Sequence, residues 1–156
     1  MTLTTQSPPL AGAPWEEVTV GEVMHHGVVV CSPEAPARVA ATLMAEHRIH
    51  AVVVLGDEKE GGAWGVVTDD DVLAAAAKGE LDELTVAAVA RAPLLAVSRS
   101  DSLELARELM RAHGVTHLLV TARSRPVGVV STLDLVSAAA AGVGARPRLR
   151  LAACPP

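Results

Sequence analysis

The chain has no phenylalanine, no tyrosine and only two tryptophans among its 156 residues. It therefore lacks the aromatic platforms on which nucleic-acid-binding proteins stack bases. It also lacks a surplus of positive charge: 13 Lys and Arg stand against 18 Asp and Glu, a net charge of −5. A main partner with a phosphate backbone demands a clustered basic surface, so nucleic acid is excluded as that partner. Two cysteines, Cys31 and Cys154, are too few for a disulfide framework. Both read as free thiols, with Cys31 a small buried hydrophobe in an apolar run. No apolar stretch approaches the length of a membrane span, and no basic patch followed by an apolar stretch opens the chain. The expectation is a soluble cytoplasmic protein that does not contact the membrane. No Gly-x-Ser-x-Gly elbow and no isolated carboxylate pair is visible, so no catalysis is expected and no catalytic residue is assigned. What remains is an apolar half made almost wholly of Ala, Val and Leu, enough for a sizeable aliphatic core.

The chain is written twice. Thr19-Val20-Gly21-Glu22-Val23 lies over Thr85-Val86-Ala87-Ala88-Val89 at an offset of 66 residues. The same offset carries Leu43-Met44 onto Leu109-Met110, His47 onto His113, and Val52-Val53-Val54 onto Leu118-Leu119-Val120. Beyond that, Gly65-Val66-Val67-Thr68 matches Gly128-Val129-Val130-Ser131 at an offset of 63. The difference falls in the polar stretch Gly56 to Gly62, a hairpin loop where an insertion is cheap.

Each copy predicts the same elements in the same order. Val28–Cys31 and Leu94–Val97 are short strand candidates. In the second copy a helix opens at Asp101 or Ser102 and closes at Gly114, with Leu105, Ala106, Leu109 and Met110 as its apolar stripe. In the first copy Pro36 suits the first helical turn, and Val39, Ala40, Leu43 and Met44 repeat the stripe. Hairpin-like β-runs follow at Ala51–Leu55 with Ala63–Val67, and at His117–Thr121 with Val127–Val130. A second helix ends each copy, stopped by Gly79 and by Gly142. A copy of some 60 residues cannot bury its apolar face alone, so the two are expected to pack sheet to sheet as one pseudo-twofold globule. The expected boundaries are a disordered segment 1–15, repeats 16–79 and 80–142, and a flexible tail 143–156.

After the second β-run of each copy stands Gly-hydrophobic-hydrophobic-Thr/Ser-x-x-Asp: Gly65 to Asp71, and Gly128 to Asp134. The strand delivers a hydroxyl to the mouth of the next helix, and a carboxylate one turn on points the same way. Such a pair suits a ribose diol together with a phosphate or hydroxyl at the helix start. It equally suits a Thr/Ser N-cap with an Asp that complements the helix dipole. Two copies in register strengthen the ligand reading.

With these motifs the sequence closely resembles the CBS domain family, named for cystathionine beta-synthase, over roughly Val18 to Ala139. The resemblance rests on Val20 to Met24, Ala40 to Glu46, Val52 to Val54 and Gly65 to Asp71, then Ala106 to His113, Val115 to Val120 and Gly128 to Asp134. It implies a mixed α/β fold (α+β) of two β-α-β-β-α repeats about a pseudo-twofold axis, with two clefts between the copies and disk-shaped homodimers. It implies a regulatory module with no required cofactor that binds AMP, ADP, ATP, S-adenosylmethionine or an NAD-like molecule and modulates an enzyme or transporter not identified by the sequence. Carried over by position, Asp71 and Asp134 would hold ribose hydroxyls. Thr68 and Ser131 would support ribose or phosphate, and Val30 and Ala96 would flank the adenine. His50-Ala51 and Thr116-His117 would line the clefts.

The sequence departs from the family pattern in informative places. Where many nucleotide-binding members carry Arg before the motif Asp, this chain has Asp70 and Leu133. The strand Thr is replaced by Val30 and Ala96, and the central Pro by Val53 and Leu119. An acid repels a phosphate, so the first cleft reads as poor for a polyphosphate. The second, with Ser131, Asp134 and His117, reads as the better one, which implies a single ligand per chain. The alternative is a ligand-free dimerisation scaffold of the same fold. No metal site is expected, because His47 with His50 and His113 with His117 each straddle a helix end. His25-His26 reads as a loop without a carboxylate partner. Asp69-Asp70-Asp71 fan out around a helix start and read as dipole stabilisation rather than a cation site.

Overall fold

Helix ends are set by side-chain chemistry in both halves of the computed structural model, which describes residues 13–56 and 63–143. In the second half, the Ser102 hydroxyl accepts from the Leu105 N–H to start the helix Leu103–His113, and Gly114 ends it at φ 62°. In the first half, Pro36 stands at the N-cap, one step before the helical turn expected for it, of Ala37–His47. Arg48 closes this helix in the left-handed region at φ 52°, where the second half has glycine. Leu103, Ala106 and Met110 form the buried face of one helix, and Ala37, Ala40 and Met44 that of the other.

The elements run α1 (Val20–Val23), β1 (His25–His26), β2 (Val30–Cys31), α2 (Ala37–His47), β3 (Ala51–Leu55), β4 (Ala63–Thr68) and α3 (Asp69–Ala77). The second half follows with α4 (Val86–Val89), β5 (Ala96–Ser98), α5 (Leu103–His113), β6 (His117–Ala122), β7 (Arg125–Ser131) and α6 (Thr132–Ala140). One sheet has the order β2-β3-β4 and the other β1-β7-β6-β5. In each half the strand before the crossover helix pairs parallel with the next strand, and that strand pairs antiparallel with its hairpin partner.

The halves exchange their leading segments. Strand β1 belongs to the first half by sequence, yet it pairs with β7 of the second, His25 opposite Val129. Reciprocally, Arg91 bridges to Val66 on β4. The Val20 N–H donates to the Asp101 carbonyl at 2.8 Å and the Val86 N–H to the Ala35 carbonyl at 2.7 Å. The Leu103 N–H reaches the Val18 carbonyl at 2.9 Å and the Ala37 N–H the Leu84 carbonyl at 2.8 Å. Each bond has its counterpart across a pseudo-twofold axis.

Two aliphatic cores record the same exchange. Val18, Val20 and Met24 are buried with Leu103, Leu118, Val120 and Val130. Val86 is buried with Ala40, Val52, Val54 and Val67. Strand alternation turns Val53 and Leu119 to the other face of each sheet, where they are also buried. Burial raises the proton affinity of the Cys31 thiol, as befits a small core residue. The four-residue helices α1 and α4 carry too few turns to leave a periodic stripe, and the sequence pattern did not assign them.

Of the terminal segments 1–15 and 143–156, Ala13 and Trp15 pack against the core that holds Val18, where an indole buries a large apolar area, and Val143 is buried in the same core. The rest of those two segments, Cys154 and most of the loop Gly56 to Gly62 lie outside the described residues. Among the described residues no helix is long and apolar enough to cross a membrane.

Candidate functional site

Strand β4 ends at Thr68 and β7 at Ser131, and each hydroxyl caps the helix that follows. The Thr68 N–H and Oγ1 both donate to Asp71 Oδ2, at 2.9 and 2.8 Å. The Ser131 N–H and Oγ both donate to Asp134 Oδ2, at 2.7 and 3.0 Å. The capping interpretation of the motif is thus realised in both halves, with one carboxylate oxygen of each Asp spent on its own helix start.

The second oxygen of each Asp meets a basic group from the exchanged segment. Arg91 Nε donates to Asp71 Oδ1 at 3.0 Å. His25 Nε2 lies 2.8 Å from Asp134 Oδ1. Residues 25 and 91 are related by the same 66-residue offset as the rest of the repeat. Both carboxylates are nearly buried, with side chains 10% and 9% exposed, while the imidazole that meets Asp134 is 78% exposed. His25 thus lies in a strand and has a carboxylate partner, contrary to the expectation of an unpartnered loop. The hydrogen bond and charge of Asp71 raise the proton affinity of the Arg91 guanidinium.

The motif glycine is what lets these groups approach. A Cβ on Gly65 would stand 2.8 Å from the Arg91 carbonyl oxygen, and one on Gly128 would stand 2.2 Å from that of His25. Only a residue without a side chain lets the exchanged backbone lie against the strand. Sequence reasoning noted both glycines but not the basic residues they admit. The signal was present: His25 and Arg91 are both basic and aligned by the repeat.

A cleft of about 330 Å³ opens at the seam between the halves. The first half lines it with Val66, Thr68, Asp69 and Asp70, the second with Arg91, Pro93, Leu94, Leu95 and Gly114 through His117. Thr68, Thr116 and His117 therefore meet here, with Asp71 reaching the same place through Arg91. His117 was grouped with Ser131 and Asp134. Its backbone does pair with Ser131 across β6 and β7, and it also lines the cleft of the first-half motif, with the charges of both Asp69 and Asp134 acting on its ring. The apolar wall comes from Leu94 and Leu95, not from Ala96, which is exposed on β5. Val30, the counterpart of Ala96, is 46% exposed on β2. Ala51 pairs with Thr68 across β3 and β4.

The electrostatics of the cleft are tightly paired. His50 Nδ1 lies 2.7 Å from Asp69 Oδ2, and this bond above all lowers the Asp69 proton affinity. Thr116 Oγ1 bonds His117 Nδ1 at 2.8 Å. Burial pushes the His117 imidazole toward its neutral form. Asp70, expected to stand as an uncompensated acid, has Arg91 Nη2 at 4.0 Å. Among the described residues no three His, Cys, Asp or Glu side chains gather as a metal site. Every buried side-chain nitrogen or oxygen described has a hydrogen-bond partner.

The family model for the CBS domain matches residues 20–78 and 86–141. The CBS domain-containing protein YhcV of Bacillus subtilis is 30% identical over 118 residues, covering 75% of this chain and 82% of that protein. Hypoxic response protein 1 of Mycobacterium tuberculosis is 29% identical over 119 residues, with the same coverage of 75% and 82%. A CBS domain protein from Pyrobaculum aerophilum, solved in complex with AMP, superposes at a TM-score of 0.66 with 26% identity, covering 79% of this chain and 99% of that one. With its model matched twice along the sequence, this chain belongs to the CBS domain family and carries two CBS repeats.

Proposed function

We propose that this protein is a non-catalytic regulatory module that takes an adenosine-containing ligand into the cleft at the seam of its two repeats. The observation that carries the reading is the meeting, in one cleft, of the Thr68 motif of the first repeat with Thr116 and His117 of the second. The complex of the Pyrobaculum relative with AMP supports the ligand class. Leu94, Leu95 and Val115 offer an apolar face to a base. Asp71 Oδ1 keeps one lone pair beyond its bond to Arg91, and a ribose hydroxyl can donate to it. Ser131 and Asp134, with Ala51 and Val30, are the counterparts at the opposite seam, while the His50 ring is held by Asp69 of the first. A ligand held by both repeats stabilises one relative placement of them, and that bias is what a partner enzyme or transporter in the cytoplasm would read. A second copy of the chain is the proposed assembly partner. Leu73 on α3 and Val136 on α6 stand at equivalent positions, 66% and 60% exposed, and give it an apolar surface.

A ligand-free scaffold is the competing reading. One observation favours it: both motif carboxylates already hold their own cap and a basic side chain. Mass spectrometry of small molecules released from the purified protein separates the two. An adenosyl compound, retained by the native chain and lost in Asp71→Ala, is expected. An empty native protein with no thermal shift in any adenosyl compound leaves the scaffold.

A further inference from the structure

On the reading of this cleft as the ligand site, we infer that it selects phosphate-free adenosine compounds, neutral or cationic, over nucleoside phosphates. A phosphate needs free donors, and those at the start of α3 are already committed. At the start of α3, the Asp69 N–H donates to the His50 carbonyl at 2.9 Å. The Asp70 N–H donates to Asp69 Oδ1 at 2.9 Å, and the Asp71 N–H to Thr68 Oγ1 at 3.4 Å. The Thr68 hydroxyl spends its hydrogen on Asp71. The backbone groups that make a helix start an anion receptor are therefore occupied.

The fixed charge points the same way. Three consecutive carboxylates, Asp69, Asp70 and Asp71, stand at or just behind the wall. The guanidinium of Arg91 bonds Asp71 at 3.0 Å and lies 4.0 Å from Asp70. The imidazole of His50 is held by Asp69. His117 is bonded to Thr116, and its burial favours the neutral ring. A phosphate entering this cleft meets more acid than base and gains few hydrogen bonds. A ligand rich in donors, or one bearing a sulfonium or ammonium, finds the Asp70 carboxylate waiting, its side chain 86% exposed.

Isothermal titration of the full chain at low ionic strength with 5′-methylthioadenosine, S-adenosylmethionine, AMP and ATP tests this. The two phosphate-free compounds are expected to bind at least about tenfold more tightly than AMP, and AMP more tightly than ATP, since each added negative charge meets contact-range repulsion. Asp70→Asn, at an exposed position outside the cap hydrogen bonds, should narrow the preference for 5′-methylthioadenosine over AMP about tenfold, chiefly by strengthening AMP binding. Added salt should strengthen AMP binding to the native protein by screening that repulsion. AMP or ATP binding as tightly as 5′-methylthioadenosine, or an Asp70→Asn protein with an unchanged preference, overturns the inference while leaving the cleft an adenosyl site. Failure of all four compounds to bind overturns both.

Discussion

Asp71 and Asp134 hold the same place in the two repeats, yet the groups that close them differ in kind. Asp71 meets a guanidinium that is always charged, and Asp134 meets an imidazole that is charged only when protonated and lies mostly in solvent. The backbone arrangement that delivers the two groups is the same: an exchanged segment laid against a motif glycine. Duplication therefore preserved the hydrogen-bonded frame and left the charge on it free to diverge. Two seams built on one plan are not equivalent sites.

The largest effect should come from the frame itself. Gly128→Ala forces a Cβ against the His25 carbonyl and should cost about 1–3 kcal/mol, the usual penalty for overpacking. Gly65→Ala, with its looser approach to Arg91, should cost less. Urea denaturation of both variants measures the difference, and equal costs would show that the two exchanged segments yield equally.

A smaller effect separates the two basic groups. Arg91→Ala should destabilise by about 1 kcal/mol at neutral pH, because it leaves a nearly buried carboxylate with one partner fewer. His25→Ala should cost less, since the ring is 78% exposed. If His25→Ala proves the costlier, the imidazole is a structural element and the contrast drawn between the seams fails.

The smallest effect is in the pH profile. Burial lowers the proton affinity of His117 in the folded chain below its ordinary value of 6.5. The unfolded chain then binds the proton better, so stability is full above that pH and declines as pH falls through it. Asp69 acts in a separate window: its lowered affinity contributes stability that is lost only as pH falls below its ordinary 3.8. From pH 7.5 to 5 the melting temperature of the native chain should fall more steeply than that of His117→Gln. Parallel curves would place the titration elsewhere.

Much of this was legible along the chain. The Ser102 cap, the Gly114 stop and the paired β-runs follow from local propensity and periodicity, and they stand where those signals put them. The Thr68 and Ser131 caps were equally legible, because a capping box spans only three residues. The short helices α1 and α4 were missed for want of a period. Arg91 and His25 were missed for a different reason. Their partners are Asp71 and Asp134, and local sequence rules carry no information about which distant segment will lie across a glycine. That His117 also lines the cleft of the first-half motif was hidden for the same cause: backbone pairing ties it to Ser131, and only the packing of the repeats brings it beside Asp69 as well.

The sequence by itself determined the duplication, the order of elements, the aliphatic core and the two motif carboxylates, all of which depend on contacts within a few residues or on a pattern repeated whole. Only the tertiary structure decided which basic group closes each carboxylate, which residues share the cleft and what charge a ligand meets there. Those depend on the exchange of segments between halves, a choice made by packing two incomplete cores against each other.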